Sequence, residues 1–504
     1  MRLIRCVSAL ACLAIATTVP AVADDLSRDV TQFRTTHESQ IIAQLSELTR
    51  QRSVAADPAG LAATADLLVR QLKERGFDST SWSLDGAAAP VVFGSLNVAG
   101  ARRTVVFYAH YDGQPVTASQ WNSDPFAPVL RSGATELDWK SLQSFDPQWR
   151  LYGRAVADDK ASIVAFLAAF DALKASGHSP SINIKVVWEG EEESGSAHLA
   201  QILRIHAAVL QSDLWLVGDA PVHQSGKAML YFGARGIVGL RLTLYGPNKA
   251  LHDGHYGNWV PNPAAMAAQL IAQMRDPEGK ILIPGLADHV RPLTREEQTA
   301  LGQLPPIDDA LKRQFGIGGT EGHEALGASL MRTALNVRGI RSGEVGDSAA
   351  NAIPTDAQIA IDFRLVPDQT PPMVRTAVEQ FLKSKGWTVL AAAPDEASRL
   401  AHPKILRLEW ESGYPALRSS ISTAAARAVI ASAGRAAGTP VAVLPMMGAS
   451  VPLYLFDEIF HEPVIGLPIV NYDDNQHAAN ENLRLGNLFD GMQTYAFMMA
   501  DLHW

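Results

Sequence analysis

The chain reads as an α/β protein whose main layer is a largely parallel sheet flanked by helices, with a separate α+β domain inserted into it. Two observations predict the main layer. The short apolar runs Thr104-Val-Val-Phe-Tyr-Ala109 and Leu214-Trp-Leu-Val217 have the character of buried strands, and Ile182-Asn-Ile-Lys-Val-Val187 also has strand character. They alternate with helical segments such as Ala161–Phe170, the order expected of βαβ units. A third observation predicts the insert. Val238, Leu240, Leu242 and Leu244 alternate with Arg241 and Thr243, as do Ile359, Ile361 and Phe363 ahead of Arg364, so these strands expose one face.

The elements follow in order. The first residues carry Arg2 and Arg5, an apolar stretch from Val7, and Ala21-Val-Ala23 before Asp24, the signature of a secretory signal cleaved after Ala23. Cys6 and Cys12 both lie within it, so the exported chain is expected to have no thiol and to rest on its cores. Residues from Leu26 to Gly76 read as helical, broken near Asp57-Pro58. The segment between Leu130 and Tyr152 is polar and reads as a surface loop. Thr370-Pro-Pro opens a helix that closes at Gly386, and Trp387-Thr-Val-Leu390 follows as a strand. An alanine-rich helix over Leu417–Ala437, a run Gly466-Leu-Pro-Ile-Val470 and a terminal helix complete the chain. The expected divisions are a signal at 1–23, the main domain at 24–234 and 396–504, and the insert at 235–395.

Composition sets further bounds. At 504 residues, 47% hydrophobic and 19% charged, the chain is globular and too long for one ordinary core. A formal net charge of -9, more acidic still once two arginines leave with the signal, disfavours nucleic acid and anionic lipid as partners. No second apolar segment is long enough to span a membrane.

The chemistry gathers where apolar strands end. Glu192-Glu193 sits in Trp188-Glu-Gly-Glu-Glu-Glu-Ser-Gly-Ser196, directly after a strand. Adjacent carboxylates repel, so they belong either in solvent or beside a cation. His110-Tyr-Asp112, Asp158, Asp219 and His477 add imidazole and oxygen donors, most of them at strand ends, where open α/β sheets place their sites. Alone, each is as well read as a surface charge or a satisfied histidine. Together they suit a two-metal hydrolase with His110, Asp158, Glu193, Asp219 and His477 as ligands. Asp112 is placed to orient a ligating imidazole.

In these segments the chain resembles the aminoacylase, carboxypeptidase G and carnosinase group of binuclear metallopeptidases, nearest its carnosinase-like branch. His110-Tyr-Asp112-Gly is similar to the group's His-x-Asp motif. Tyr152-Gly-Arg-Ala-Val-Ala-Asp158-Asp-Lys160 and Glu189-Gly-Glu-Glu-Glu-Ser-Gly-Ser196 resemble two more. The likeness continues through Trp121–Phe126, Arg235-Gly236, Leu251-His-Asp-Gly-His-Tyr-Gly257, Ile353-Pro354 and Arg364-Leu-Val-Pro367. Ala155 and Ala161 stand where the group's pattern has glycines.

The resemblance implies two divalent ions, zinc first, with manganese or cobalt as alternatives. Asp158 would bridge them, His110 and Asp219 completing one site, Glu193 and His477 the other. Glu192 would be the general base, and Asp112, holding the His110 imidazole, would count among the catalytic residues. The insert would be a ferredoxin-like lid and dimerisation domain, pairing two chains. From it His252 would stabilise the oxyanion, often across the dimer, and Arg364 would hold a substrate carboxylate. Asn351 and Ser450 match substrate-contacting positions. The implied activity is hydrolysis of dipeptides or short peptides by an exported, periplasmic or extracellular enzyme. An N-acyl amino-acid amidohydrolase with the same site and a non-catalytic binding protein on the same fold are the alternatives.

Overall fold

The computed structural model describes residues 19–84, 89–286 and 289–504. Both cysteines and the apolar part of the expected signal lie outside them. A helix, Val19–Arg50, runs through the expected cleavage point after Ala23. No helix among the described residues is long and apolar enough to cross a membrane.

The main domain is built on an eight-stranded sheet. Asn183–Glu189, Thr104–His110, Leu214–Val217 and Val464–Gly466 lie side by side and parallel at its centre. Val91–Leu96 and Asp78–Trp82 add an antiparallel edge. The central strands read as apolar runs because both faces are covered. One face carries the helices Val19–Arg50, Pro58–Glu74, Lys160–Ser176, Ala424–Ala437 and Leu485–Ala500, and the other Leu199–Ile205 and Tyr454–Phe460. Lys160–Ser176 is apolar almost all round and correspondingly buried, and it stops where Gly177 takes φ 76°.

The insert is a smaller β-rich domain. Its five-stranded sheet runs Ala334–Arg341, Asp356–Leu365, Gly236–Tyr245, Ile405–Tyr414, Thr388–Leu390. Alternation holds for Arg241 but not for Thr243, which is buried. Val238, Leu240, Leu242 and Leu244 pack with Ile359, Ile361 and Phe363 beneath the helices Pro263–Met274 and Pro371–Ser384, while Arg241 faces solvent. Thr370 caps the second helix through Met373 N, as its Pro-Pro start requires.

Three details depart from expectation. The strand Ile405–Tyr414 pairs with Gly236–Tyr245, so the insert's sheet draws residues from beyond the boundary expected at 395. The alanine-rich helix begins at Ala424 under a Thr423 cap rather than at Leu417, because Leu417 and Ser419 donate instead to the carbonyls of Ala234 and Phe232. The polar segment after Leu130 is not a loop: Val129–Ser132, Thr135–Leu137, Arg150–Tyr152 and Asn482–Arg484 form an antiparallel four-stranded sheet. That sheet ties the segment to the chain's last loop.

Candidate metal centre

Two parallel strands deliver the first donors to one edge of the sheet, and the turn ahead of a helix supplies the third. His110 ends Thr104–His110 and lies opposite Glu189, the last residue of its neighbour. Asp219 follows Leu214–Val217 by two residues. Asp158 stands just ahead of Lys160–Ser176. These three can offer one atom each to a common point, and so can Asp158, Glu193 and His477. Asp158 belongs to both groups. Its Oδ1 lies 2.9 Å from His110 Nε2 and its Oδ2 3.1 Å from His477 Nε2, which also reaches Glu193 Oε2 at 3.3 Å. One carboxylate thus turns an oxygen toward each cluster, the arrangement a pair of bridged divalent ions requires.

The acid run is held by its surroundings. At Gly190 a Cβ would lie 2.2 Å from the Tyr111 hydroxyl, so only glycine lets the chain pass this ring. Asp112 then accepts the backbone N–H groups of Glu192 and Glu193 at 3.2 and 3.0 Å, fixing the turn that carries both acids. Its Oδ1 is also 3.3 Å from His110 Nδ1, the contact expected of a residue that orients a ligating imidazole. Glu191 turns away to His198, 2.9 Å from its carboxylate. Gln114 and Gln476 donate to Glu193 and Asp158, each at 2.7 Å.

The electrostatics favour a cation. Burial, reinforced by Asp158, pushes Glu193 up to about 8 and Asp219 up to about 6. Burial and the charges of Asp219, Asp158 and Glu193 push Glu192 well above the carboxylate range. The hydrogen bond to Asp158 raises His477 to about 9. Burial works against ionised Asp158, but hydrogen bonds from His110 and His477 hold it low. So many acids raised by burial and by each other form a donor set that divalent charge would relieve. The residues fit two such ions.

Several residues here were not legible as site residues. Glu481, fully buried, accepts Arg154 Nη1 at 2.8 Å and the N–H groups of Ala155, Ala157 and Asp158 at 2.9, 3.0 and 3.1 Å, and so shapes the loop behind Asp158. Glu189 accepts the Tyr108 hydroxyl at 2.5 Å, and burial raises it to about 7. Tyr414 feels both halves of the site: burial and Glu192 push its hydroxyl up while Arg364 pulls it down. Ala155, in a glycine position of the resembled pattern, adopts φ 60°.

The insert brings its candidates together in two places. Arg364 donates to Ser450 Oγ at 2.8 Å and to Asp362 at 2.8 Å. His252 and Asn351 meet on the two-stranded ribbon of Leu251–His252 and Ala352–Ile353, where Asp253 N donates to Asn351 O. The His252 side chain is 57% exposed, and its contacts are with Gly254, Asp253 and His255. Within one chain, among the described residues, it makes no hydrogen bond or ion pair with the acid cluster.

Comparisons with known proteins bear on the family and the fold. The chain is 25% identical over 484 residues to the Cys-Gly metallodipeptidase of Schizosaccharomyces pombe, covering 92% of this chain and 96% of that one. It is 26% identical to the Beta-Ala-His dipeptidase of Rattus norvegicus, covering 82% and 80%. A metallo-carboxypeptidase from Sulfolobus solfataricus superposes with a TM-score of 0.73 at 26% identity, over 91% of this chain and 98% of that one. Residues 106–501 match the profile of Peptidase family M20/M25/M40, and the chain, with its paired donor clusters on the two-domain α/β scaffold, belongs to that family.

Proposed function

We propose that this protein is an exported dipeptidase, cleaving the peptide bond of dipeptides or short peptides that carry a free C-terminal carboxylate. The observation that supports the reading best is Asp158 shared between two donor clusters, with Glu192 on the adjoining turn. Two divalent ions, zinc by first choice, would be held by His110, Asp158 and Asp219 and by Asp158, Glu193 and His477, and would supply an acidified water and positive charge for the developing oxyanion. Glu192 accepts the proton of the attacking water on a carboxylate oxygen and returns it to the leaving amine nitrogen. Asp112 keeps that carboxylate placed by holding the backbone of its turn. Arg364, steadied by Ser450 and Asp362, offers the substrate carboxylate a planar, charge-assisted contact.

The insert's exposed surface supports a homodimer. Trp259 is 80% exposed and Val345 87%, near the ribbon of His252 and Asn351, and Ala334–Arg341 forms an edge of its sheet. A second chain covering this face would bury that apolar surface and bring His252 to the neighbouring centre. The exported destination rests on the N-terminal signal signature.

The test is hydrolysis by metal-reconstituted protein of a panel of dipeptides, tripeptides and N-acyl amino acids. Dipeptides are expected to be cut fastest. Strong activity confined to N-acyl amino acids would refute the reading and favour an amidohydrolase.

A further inference from the structure

A cleft of about 830 Å³ opens beside the metal centre, at the junction of the two domains. One wall comes from a helical excursion of the insert. Arg295–Gly302 packs near the main-domain strand Ala442–Leu444, Pro305-Pro306 ends any helical continuation, and Asp308–Phe315 and Leu326–Ser329 follow. Leu301, Leu304, Leu326 and Leu330 line the cleft from this excursion, and Leu444 and Met447 line it from the main domain.

Three residues of the cleft adjoin residues of the site. Ala220 directly follows Asp219. Gln476 directly precedes His477 and donates to Asp158. Ala449 adjoins Ser450, which receives Arg364. All three line it. Its ionisable lining is sparse. Asp308 accepts Leu326 N at 2.9 Å and is committed to holding the excursion together. His223 is buried against Ser225, and burial lowers its basicity. Among the described lining residues Asp308 is the one acid and no lysine or arginine is present, and the cleft has the size and the mainly apolar lining of a small-molecule site.

We propose that this cleft selects the substrate's side chain, so that the preferred peptides carry a bulky apolar residue, leucine, methionine or phenylalanine, next to the scissile bond. The inference rests on the peptidase reading of the centre and adds substrate class to it. The predicted discrimination is large. Each buried methylene contributes about a factor of four, so the three further carbons of leucine over alanine give a preference on the order of 50-fold.

The experiment compares kcat/KM of the metal-loaded, full-length protein on Ala-Ala, Leu-Ala, Phe-Ala, Ala-Leu, Ala-Phe, Asp-Ala and Lys-Ala. At least a 10-fold preference for the apolar members over Ala-Ala, at one of the two positions, is expected. Which position gains identifies the side of the bond that faces the cleft. Ala328→Phe, on the excursion wall, is expected to shrink that ratio by filling the space. Equal rates for Ala-Ala and the apolar dipeptides, or faster cleavage of Asp-Ala or Lys-Ala, would overturn the inference and leave the dipeptidase reading intact. If only N-acyl amino acids are cut, the dipeptidase reading fails. N-acetyl-Leu and N-acetyl-Phe against N-acetyl-Ala then decide the cleft by the same ratio. Hydrolysis of neither class would overturn both.

Discussion

Replacing Glu481 by glutamine tests how the Asp158 loop is held. The change keeps shape and removes one acceptor. Oε1 serves Ala157 N and Asp158 N, and Oε2 serves Arg154 Nη1 and Ala155 N. Burial raises this carboxyl. Yet all four neighbours are donors, which leaves a proton on it nothing to face, and we take it as ionised. Whichever way the new amide turns, its NH2 confronts two N–H donors. At about 1–3 kcal/mol for each buried donor left unmatched, Glu481→Gln is expected to lose about 2–6 kcal/mol. The orientation facing the buried Arg154 guanidinium would cost most. Urea unfolding of the metal-free protein, with the slope compared to confirm one transition, measures the loss. Bound metal per chain provides the second readout, since Asp158 N is among the released groups. A loss below about 1 kcal/mol with full metal content would refute the idea that Glu481 organises this loop.

Glu192→Gln is expected to retain metal while kcat falls by about 10²–10⁴; surviving activity would exclude Glu192 as the base. Arg364→Met should lower kcat/KM on dipeptides by about 10-fold or more and hardly affect dipeptide amides, because only the former offer a carboxylate. Equal losses on both would sink the clamp. Val345→Glu with Trp259→Glu should yield a monomer by sedimentation with little activity, and a fully active monomer would show that His252 is not needed from a partner. Burial opposes ionised Asp473, but hydrogen bonds from Arg150 and Asn471, with the charges of Arg150 and Arg484, hold its pKa below the ordinary value. A lowered acid stabilises the fold above its unfolded pKa near 4 and loses that contribution as pH falls through the folded value. Asp473→Asn should therefore lower Tm at pH 6 and flatten its fall between about pH 5 and 3; parallel curves for the two proteins would refute this.

What sequence revealed and what it hid follow a physical line. His110 and Asp219 stood out as candidates because buried parallel strands announce themselves as apolar runs whose ends mark the edge where a site forms, and Glu193 because adjacent carboxylates call for a cation. Arg364 was legible through the alternation that places it opposite Phe363. Glu481 gave no such sign, because its partners at Arg154–Asp158 lie more than 300 residues earlier in the chain. Tyr414 was missed with its strand. Leu406, Leu408 and Trp410 alternate with Arg407, Glu409 and Glu411, a strand signal that was passed over, but only pairing with Gly236–Tyr245 assigns the strand to the insert. The start of the alanine-rich helix was misread because composition alone does not locate an N-cap; Thr423 does.

The two donor clusters differ in access. His110, Asp158 and Asp219 are 0%, 4% and 6% exposed, whereas the His477 side chain is 54% exposed on a loop where Asn475, His477 and Asn480 all take φ near 60°. Two ions at this centre would therefore exchange with solution at unequal rates. Loading should proceed in two steps, and a chelator should strip the His477 position first, leaving a half-loaded protein whose remaining ion would be held by the buried His110, Asp158 and Asp219. Metal content below two per chain would then report a partly vacated centre rather than a mixture of full and empty molecules. Activity should track the second equivalent added, not the first.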